Sequence, residues 1–173
     1  MACGRTHADG FPCIKARGSH LADLDDIYSA RILELAGGIS RIGRLASPDA
    51  SATAHSKLCG STVTIDITVT DGRVQDYAQV VKACLLGQAA CSVMARQIVG
   101  CDSAELRTVA ATMRAMLKEH GSPPQGRWSD LAVLQPVKDY KGRHASVMLV
   151  FDAVESALRQ IETQRAAAQP ASA

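Results

Sequence analysis

The feature that most constrains the fold is the stretch from Ser61 to Val69, in which polar and apolar residues alternate. A period of two predicts a β-strand with one buried face and one solvent-facing face. The dipeptide Asp71-Gly72 follows it and is a strong signal for a hairpin turn, so residues 73–81 are predicted to return as an antiparallel partner. Residues 52–57 are predicted to form a further short strand before this hairpin.

Helical patterns surround these strands. Apolar residues with helical spacing predict helices over residues 23–35, 84–99, 102–117, 128–134 and 144–163, with a connector over 136–142. One helix precedes the strands and the others follow them. This order predicts an α+β fold, in which a small three-stranded antiparallel sheet carries helices packed on one face.

The ends of the chain lack such patterns. Residues 1–20 are expected to be a disordered extension, residues 21–165 a single domain, and residues 166–173 a flexible tail. The chain has 173 residues with 19 basic and 17 acidic side chains, a balance that does not indicate a nucleic-acid partner. No apolar run approaches the roughly 20 residues of a membrane span, so no membrane partner is expected. Irregularly spaced cysteines without a secretory signal favour reduced thiols and a cytoplasmic location.

Two of the six cysteines are predicted to meet at the open end of the hairpin. Cys59 precedes one strand and Cys84 follows the other, so both come to the same edge of the sheet. Cys84 also opens a helix, where the backbone N–H groups favour the thiolate. The pair suits a soft metal ion, and it equally suits two small buried residues. Cys91 lies two helical turns beyond Cys84 and, like Cys101, is interpreted as a packing residue.

The order of the elements, together with several short motifs, resembles a known family. The motifs are Leu58-Cys59-Gly60, a cysteine that opens a long Ala-rich helix at Cys84, and Leu134-Gln135-Pro136-Val137 followed by Arg143. Over roughly residues 24–163 the chain resembles the iron–sulfur cluster assembly scaffolds, namely the U-type scaffolds and the N-terminal domain of NifU-like proteins.

This resemblance implies a ligand set with two departures from the family pattern. Cys59 and Cys84 match the first and second cysteines of the family, whereas Ser61 stands at its aspartate and Ser146 at its third cysteine. A hydroxyl is a poorer ligand than a thiolate for iron or zinc, since it is hard and protonated near pH 7. His144, two residues before Ser146, is a further candidate ligand. The implied cofactor site is therefore Cys59, Cys84 and Ser146, and the implied metal ligands are Cys59, Cys84, His144 and Ser61.

The resemblance also implies a function. It predicts a non-enzymatic scaffold or accessory protein that receives persulfide sulfur from a cysteine desulfurase, binds iron, a transient iron–sulfur cluster or zinc, and serves cluster-acceptor proteins. A homo-oligomer could complete its ligand set. One alternative is a diverged, cluster-free interaction or regulatory module that binds zinc weakly. Another is a sulfurtransferase with Cys84 as its nucleophile.

Overall fold

The fold is seen in a computed structural model that describes residues 29–168. Within that range the elements are α1 Ala30–Gly37, β1 Ala50–His55, β2 Thr62–Thr70, β3 Arg73–Lys82, α2 Leu85–Gln97, α3 Ser103–Lys118, a 3-10 segment Gly126–Asp139, and α4 Lys141–Ala168. The strands form one antiparallel sheet in the order β1-β2-β3. The predicted α+β class is confirmed.

The hairpin of β2 and β3 follows the sequence pattern closely. The apolar members of the alternation, Val63, Ile65 and Ile67, are fully buried. The turn residues Asp71 and Gly72 have φ values of 51° and 76°. Two successive residues with positive φ suit a tight hairpin turn whose twist matches that of the strands. At the opposite, open end of the hairpin, Thr62 pairs with Lys82.

The helices cover one face of the sheet. The long helix α4 contacts β1 and β2, and α2 packs against α1, β3 and α4. Helix α3 lies against α4, where Arg114 forms ion pairs with Asp152 and Glu155. These packing contacts hold the start of α4 close to the open end of the hairpin.

None of the helices within residues 29–168 is long and apolar enough to cross a membrane.

Three helix boundaries differ from the sequence-based predictions. The first helix of the described range begins at Ala30, because Ser29 is not helical and its hydroxyl accepts a hydrogen bond from the Ile32 N–H group. Its predicted part before Ser29 lies outside the described residues. The short helix and the connector predicted for residues 128–142 were wrong in extent, since a 3-10 segment runs to Asp139 and α4 starts at Lys141. Pro136 lacks an N–H group, so it does not favour a regular α-helix there.

The predicted tail is partly helical, because α4 continues to Ala168. Residues 1–20 and 169–173 lie outside the described residues. The division of the chain into an extension, a domain and a tail therefore stays a prediction.

The polar face of β2 is less exposed than its alternation predicted, because Asp66 is fully buried. Its carboxylate accepts hydrogen bonds from Arg44 Nε at 2.6 Å, the Ser51 hydroxyl at 2.6 Å and the Leu45 N–H group at 3.0 Å. Burial alone raises the pKa of Asp66, but these hydrogen bonds outweigh it and the pKa is lowered. The carboxylate thus ties the loop before β1 to the outer face of the sheet.

We expect Asp66→Ala to lower the free energy of unfolding by about 2–3 kcal/mol, because it removes the charge-assisted hydrogen bonds of a buried carboxylate. Urea denaturation followed by circular dichroism measures this change. The matched control is Glu34→Ala, which removes a carboxylate from an exposed ion pair with Arg31; its expected cost is below about 1 kcal/mol. Equal costs for the two variants would contradict the role of Asp66.

Candidate functional site

The loop between β1 and β2 lies at the open end of the hairpin and carries the first candidate thiol. Its ends are joined by a hydrogen bond from the Ser56 N–H group to the Ser61 carbonyl, and the Gly60 N–H group donates to the Ser56 carbonyl, each at 2.9 Å. Gly60 has a φ of 68°, which favours glycine. The tight loop places Cys59 at the surface beside Leu58, whose side chain is 77% exposed.

Three serine hydroxyls surround the sulfur of Cys59. The Oγ atoms of Ser61 and Ser146 each lie 3.0 Å from Cys59 Sγ, and that of Ser56 lies 3.3 Å away. Ser56 and Ser61 belong to the same loop, whereas Ser146 is 87 positions further along the chain and comes from the second turn of α4. All three serines are buried, although Cys59 itself is exposed. The structure therefore brings Cys59, Ser61 and Ser146 together.

This arrangement stabilises the ionised form of Cys59. Hydrogen bonds from Ser146, Ser56 and Ser61, in that order, lower the pKa of Cys59 to about 6, against a smaller opposing effect of desolvation. The Ser61 backbone N–H group adds to the shift. Hydrogen bonds donated to a thiolate favour it over the thiol, so Cys59 is mostly ionised at pH 7. The sequence indicates Cys84 as the ionised thiol and places Ser61 and Ser146 at the site, but it does not predict Ser56 or the hydrogen bonds to Cys59.

Cys84 lies next to this cluster and is linked to it through Ser61. It is the N-cap residue of α2 and is half-buried. Its backbone N–H group donates to Ser61 Oγ at 3.4 Å, and the same oxygen accepts a hydrogen bond from Cys59 Sγ at 3.0 Å. One serine side chain thus contacts both candidate cysteines.

His144 faces a different part of the protein. Its ring is buried, and Nε2 donates to the carbonyls of Val137 and Lys138 at 3.1 and 3.0 Å. Because carbonyl oxygens only accept, Nε2 carries a proton and is not available to a metal ion. In the described range 29–168, no three His, Cys, Asp or Glu side chains form a group that could hold a metal ion. Ligation by His144 stays a prediction.

The two other cysteines of the described range are core residues. Cys91 and Cys101 are buried, and burial raises the pKa of each thiol to about 12. Thiols of this kind are unreactive small apolar residues, which agrees with the packing role predicted for both. Cys3 and Cys13 lie outside the described residues.

Comparison with known proteins places this site in context. No protein-family model matches the chain. The crystal structure of the N-terminal part of a nitrogen-fixing NifU-like protein from Brucella abortus has a TM-score of 0.81 and 56% identity, over 82% of this chain and 99% of that one. This chain belongs to the iron–sulfur cluster assembly scaffold family.

Two further proteins are similar to this chain at lower identity. The iron–sulfur cluster assembly scaffold protein IscU of Thermotoga maritima is 24% identical over 135 residues, which cover 78% of this chain and 94% of that protein. The structure of the putative scaffold protein SufU from Fervidobacterium islandicum is 22% identical, with a TM-score of 0.71 over 82% of this chain and 99% of that one, and it supports the fold alone. The resemblance seen in the sequence is confirmed.

Proposed function

We propose that this scaffold-family protein accepts sulfur as a persulfide on Cys59 and then presents it to iron, with Cys84 as a second thiolate ligand. The observation that carries the proposal is the exposed Cys59, whose sulfur lies within 3.3 Å of three serine hydroxyls. The donor is a cysteine desulfurase, and the recipients are cluster-acceptor proteins. The protein acts as a carrier rather than an enzyme, and we expect it to act in the cytoplasm.

The sulfur transfer needs no external oxidant or reductant. The Cys59 thiolate attacks the outer sulfur of the donor persulfide, and a new S–S bond forms as the donor S–S bond breaks. The electron pair of the broken bond leaves with the donor thiolate. Cys59 then carries the outer sulfur as its own persulfide. The lowered pKa of Cys59 supports this step, because the thiolate and not the thiol is the nucleophile.

The cargo on this chain is held by fewer thiolates than a four-coordinate site uses. Cys59 and Cys84 supply two, while Ser61 and Ser146 present hydroxyls, which are poor ligands for iron and zinc. A transient cluster or a zinc ion would therefore take its remaining ligands from a second copy of the chain or from a partner. The iron–sulfur cluster is thus a cargo that passes through the site.

Sulfur loading by a desulfurase and free cysteine, followed by peptide mass spectrometry, tests the proposal. We expect one extra sulfur atom on Cys59 in the unmodified chain. Cys59→Ser should lower total loading by about tenfold or more, because it removes the ionised thiol. Ser122→Ala, which changes an exposed serine outside the site, is the control and should load normally. Normal loading of Cys84 in the Cys59→Ser chain would overturn the assignment of Cys59, and no loading of any cysteine would favour a cluster-free module.

A further inference from the structure

Helices α2 and α4 approach each other very closely beside the site, at Gly87. A Cβ atom placed on Gly87 would lie 2.9 Å from the backbone carbonyl oxygen of Ser146 and 2.9 Å from Cβ of Ala83. Gly87 is buried. Because a carbon atom does not approach a carbonyl oxygen so closely without repulsion, any larger residue at this position must push the two helices apart.

This close approach involves the same serine that contacts the thiolate. The carbonyl of Ser146 faces Gly87, while its hydroxyl lies 3.0 Å from Cys59 Sγ. The residue is buried in the second turn of α4, so its backbone and hydroxyl move together with the helix. Relief of the 2.9 Å contact at Gly87 moves Ser146 away from α2, which lengthens the 3.0 Å Ser146–Cys59 contact and weakens it.

The first turn of α2 therefore contacts two of the serines that lie around Cys59. Its N-cap residue Cys84 donates a backbone hydrogen bond to Ser61, and Gly87, three residues later, receives Ser146 of α4. Ser61 and Ser146 are the two serines nearest to the sulfur of Cys59. The spacing between α2 and α4 thus determines whether both hydroxyls reach the sulfur at once.

We propose that Gly87 is a positioning residue, whose missing side chain lets α4 approach α2 closely enough for the Ser146 hydroxyl to reach Cys59. The biological value of this arrangement rests on the sulfur-accepting role proposed for Cys59. Its test uses alkylation by iodoacetamide, which requires no sulfur donor. Failure of sulfur transfer and failure of this proposal are therefore distinguishable.

The test compares the alkylation rate of Cys59 at pH 6 in a double-mutant cycle, with peptide mass spectrometry as the readout. We expect Ser146→Ala to slow alkylation by about fivefold, since it removes the hydrogen bond to Cys59, and Gly87→Ala to slow it by a smaller factor, since it weakens that hydrogen bond. The double variant should be no slower than Ser146→Ala, because Gly87 acts only through that hydroxyl. A merely structural effect of Gly87 would instead add to that of Ser146→Ala.

Gly142→Ala is the matched control. Gly142 lies in the first turn of α4, and a Cβ atom placed on it would have no neighbour within 4 Å. We expect its alkylation rate to equal that of the unmodified chain. Circular dichroism checks that each variant is folded. If Gly87→Ala does not fold, the variant Gly87→Ala with Ala83→Gly removes one of the two clashes and keeps the one with Ser146.

Three results would overturn the proposal. One is an unchanged alkylation rate in the folded Gly87→Ala chain, or in the chain that combines it with Ala83→Gly. Another is a further slowing when Gly87→Ala is added to Ser146→Ala. A loss of reactivity in Gly142→Ala similar to that in Gly87→Ala would also overturn it, because the effect would then not depend on the approach of α2 and α4.

Discussion

Ser146→Cys is expected to raise the iron and acid-labile sulfide retained per chain by about tenfold or more after anaerobic reconstitution. The Ser146 hydroxyl already lies 3.0 Å from Cys59 Sγ, so a sulfur atom at that position adjoins the first thiol. A third thiolate replaces a protonated hydroxyl, and thiolates are the ligands that hold iron–sulfur clusters. Metal and sulfide analysis after gel filtration measures the change, and the elution volume reports the oligomeric state.

The comparison variants separate ligation from the mere presence of a new thiol. Ser122→Cys places a thiol on an exposed residue outside the site and should not raise retention. Ser61→Asp should add less than Ser146→Cys, because a carboxylate is the harder ligand. Cys84→Ser should abolish retention. A full cluster on the unmodified monomer, with no gain from Ser146→Cys, would show that the ligand assignment is wrong.

Cys59 alkylation is expected to be half-maximal near pH 6, because the folded protein lowers the pKa of this thiol to about 6. The thiolate is present above that pH and is lost as the pH falls through it. An unperturbed thiol has a pKa of about 8.5, so at pH 6 the thiolate fraction of Cys59 is roughly a hundredfold higher. The lower intrinsic nucleophilicity of an acidic thiolate offsets part of this gain in rate. Iodoacetamide alkylation across pH 4.5–9, read by peptide mass spectrometry, gives the midpoint.

The serines provide the controls for this titration. Ser146→Ala and Ser61→Ala should each move the midpoint upward by about one unit, since each removes a hydroxyl 3.0 Å from the sulfur. Ser122→Ala should leave it in place. Unfolding in urea should restore an ordinary midpoint. A midpoint near 8.5 in the folded chain would refute the stabilising role of the serines.

The sheet could be predicted from sequence because its signals are local. The alternation in β2 and the Asp71-Gly72 turn lie within a few residues of each other in the sequence, and together they define the hairpin. The burial of Asp66 could not be predicted, because it depends on Arg44 and Ser51, whose contacts form only when the loop folds over the sheet. The resemblance to the scaffold family supplied the site residues, but not their hydrogen bonds.

The two candidate ligands on α4 show why sequence spacing alone could not predict which side chain reaches Cys59. His144 and Ser146 are two positions apart, and residues with that spacing point to different sides of a helix. Ser146 turns toward Cys59, whereas His144 turns toward the carbonyls that end the 3-10 segment. The lowered pKa of Cys59 was not predicted for a related reason. A helix N-terminus is visible in sequence, but three hydroxyls brought together by tertiary structure are not.

The contact between Cys59 and Ser146 joins residues 87 positions apart, so it forms late in the synthesis and folding of the chain. During synthesis the loop with Cys59 is made long before α4, and until α4 docks the thiol lacks its strongest hydrogen-bond donor. A nascent or unfolded chain therefore carries an ordinary, largely protonated thiol. Completion of the fold therefore raises the reactivity of this sulfur above that of an ordinary thiol.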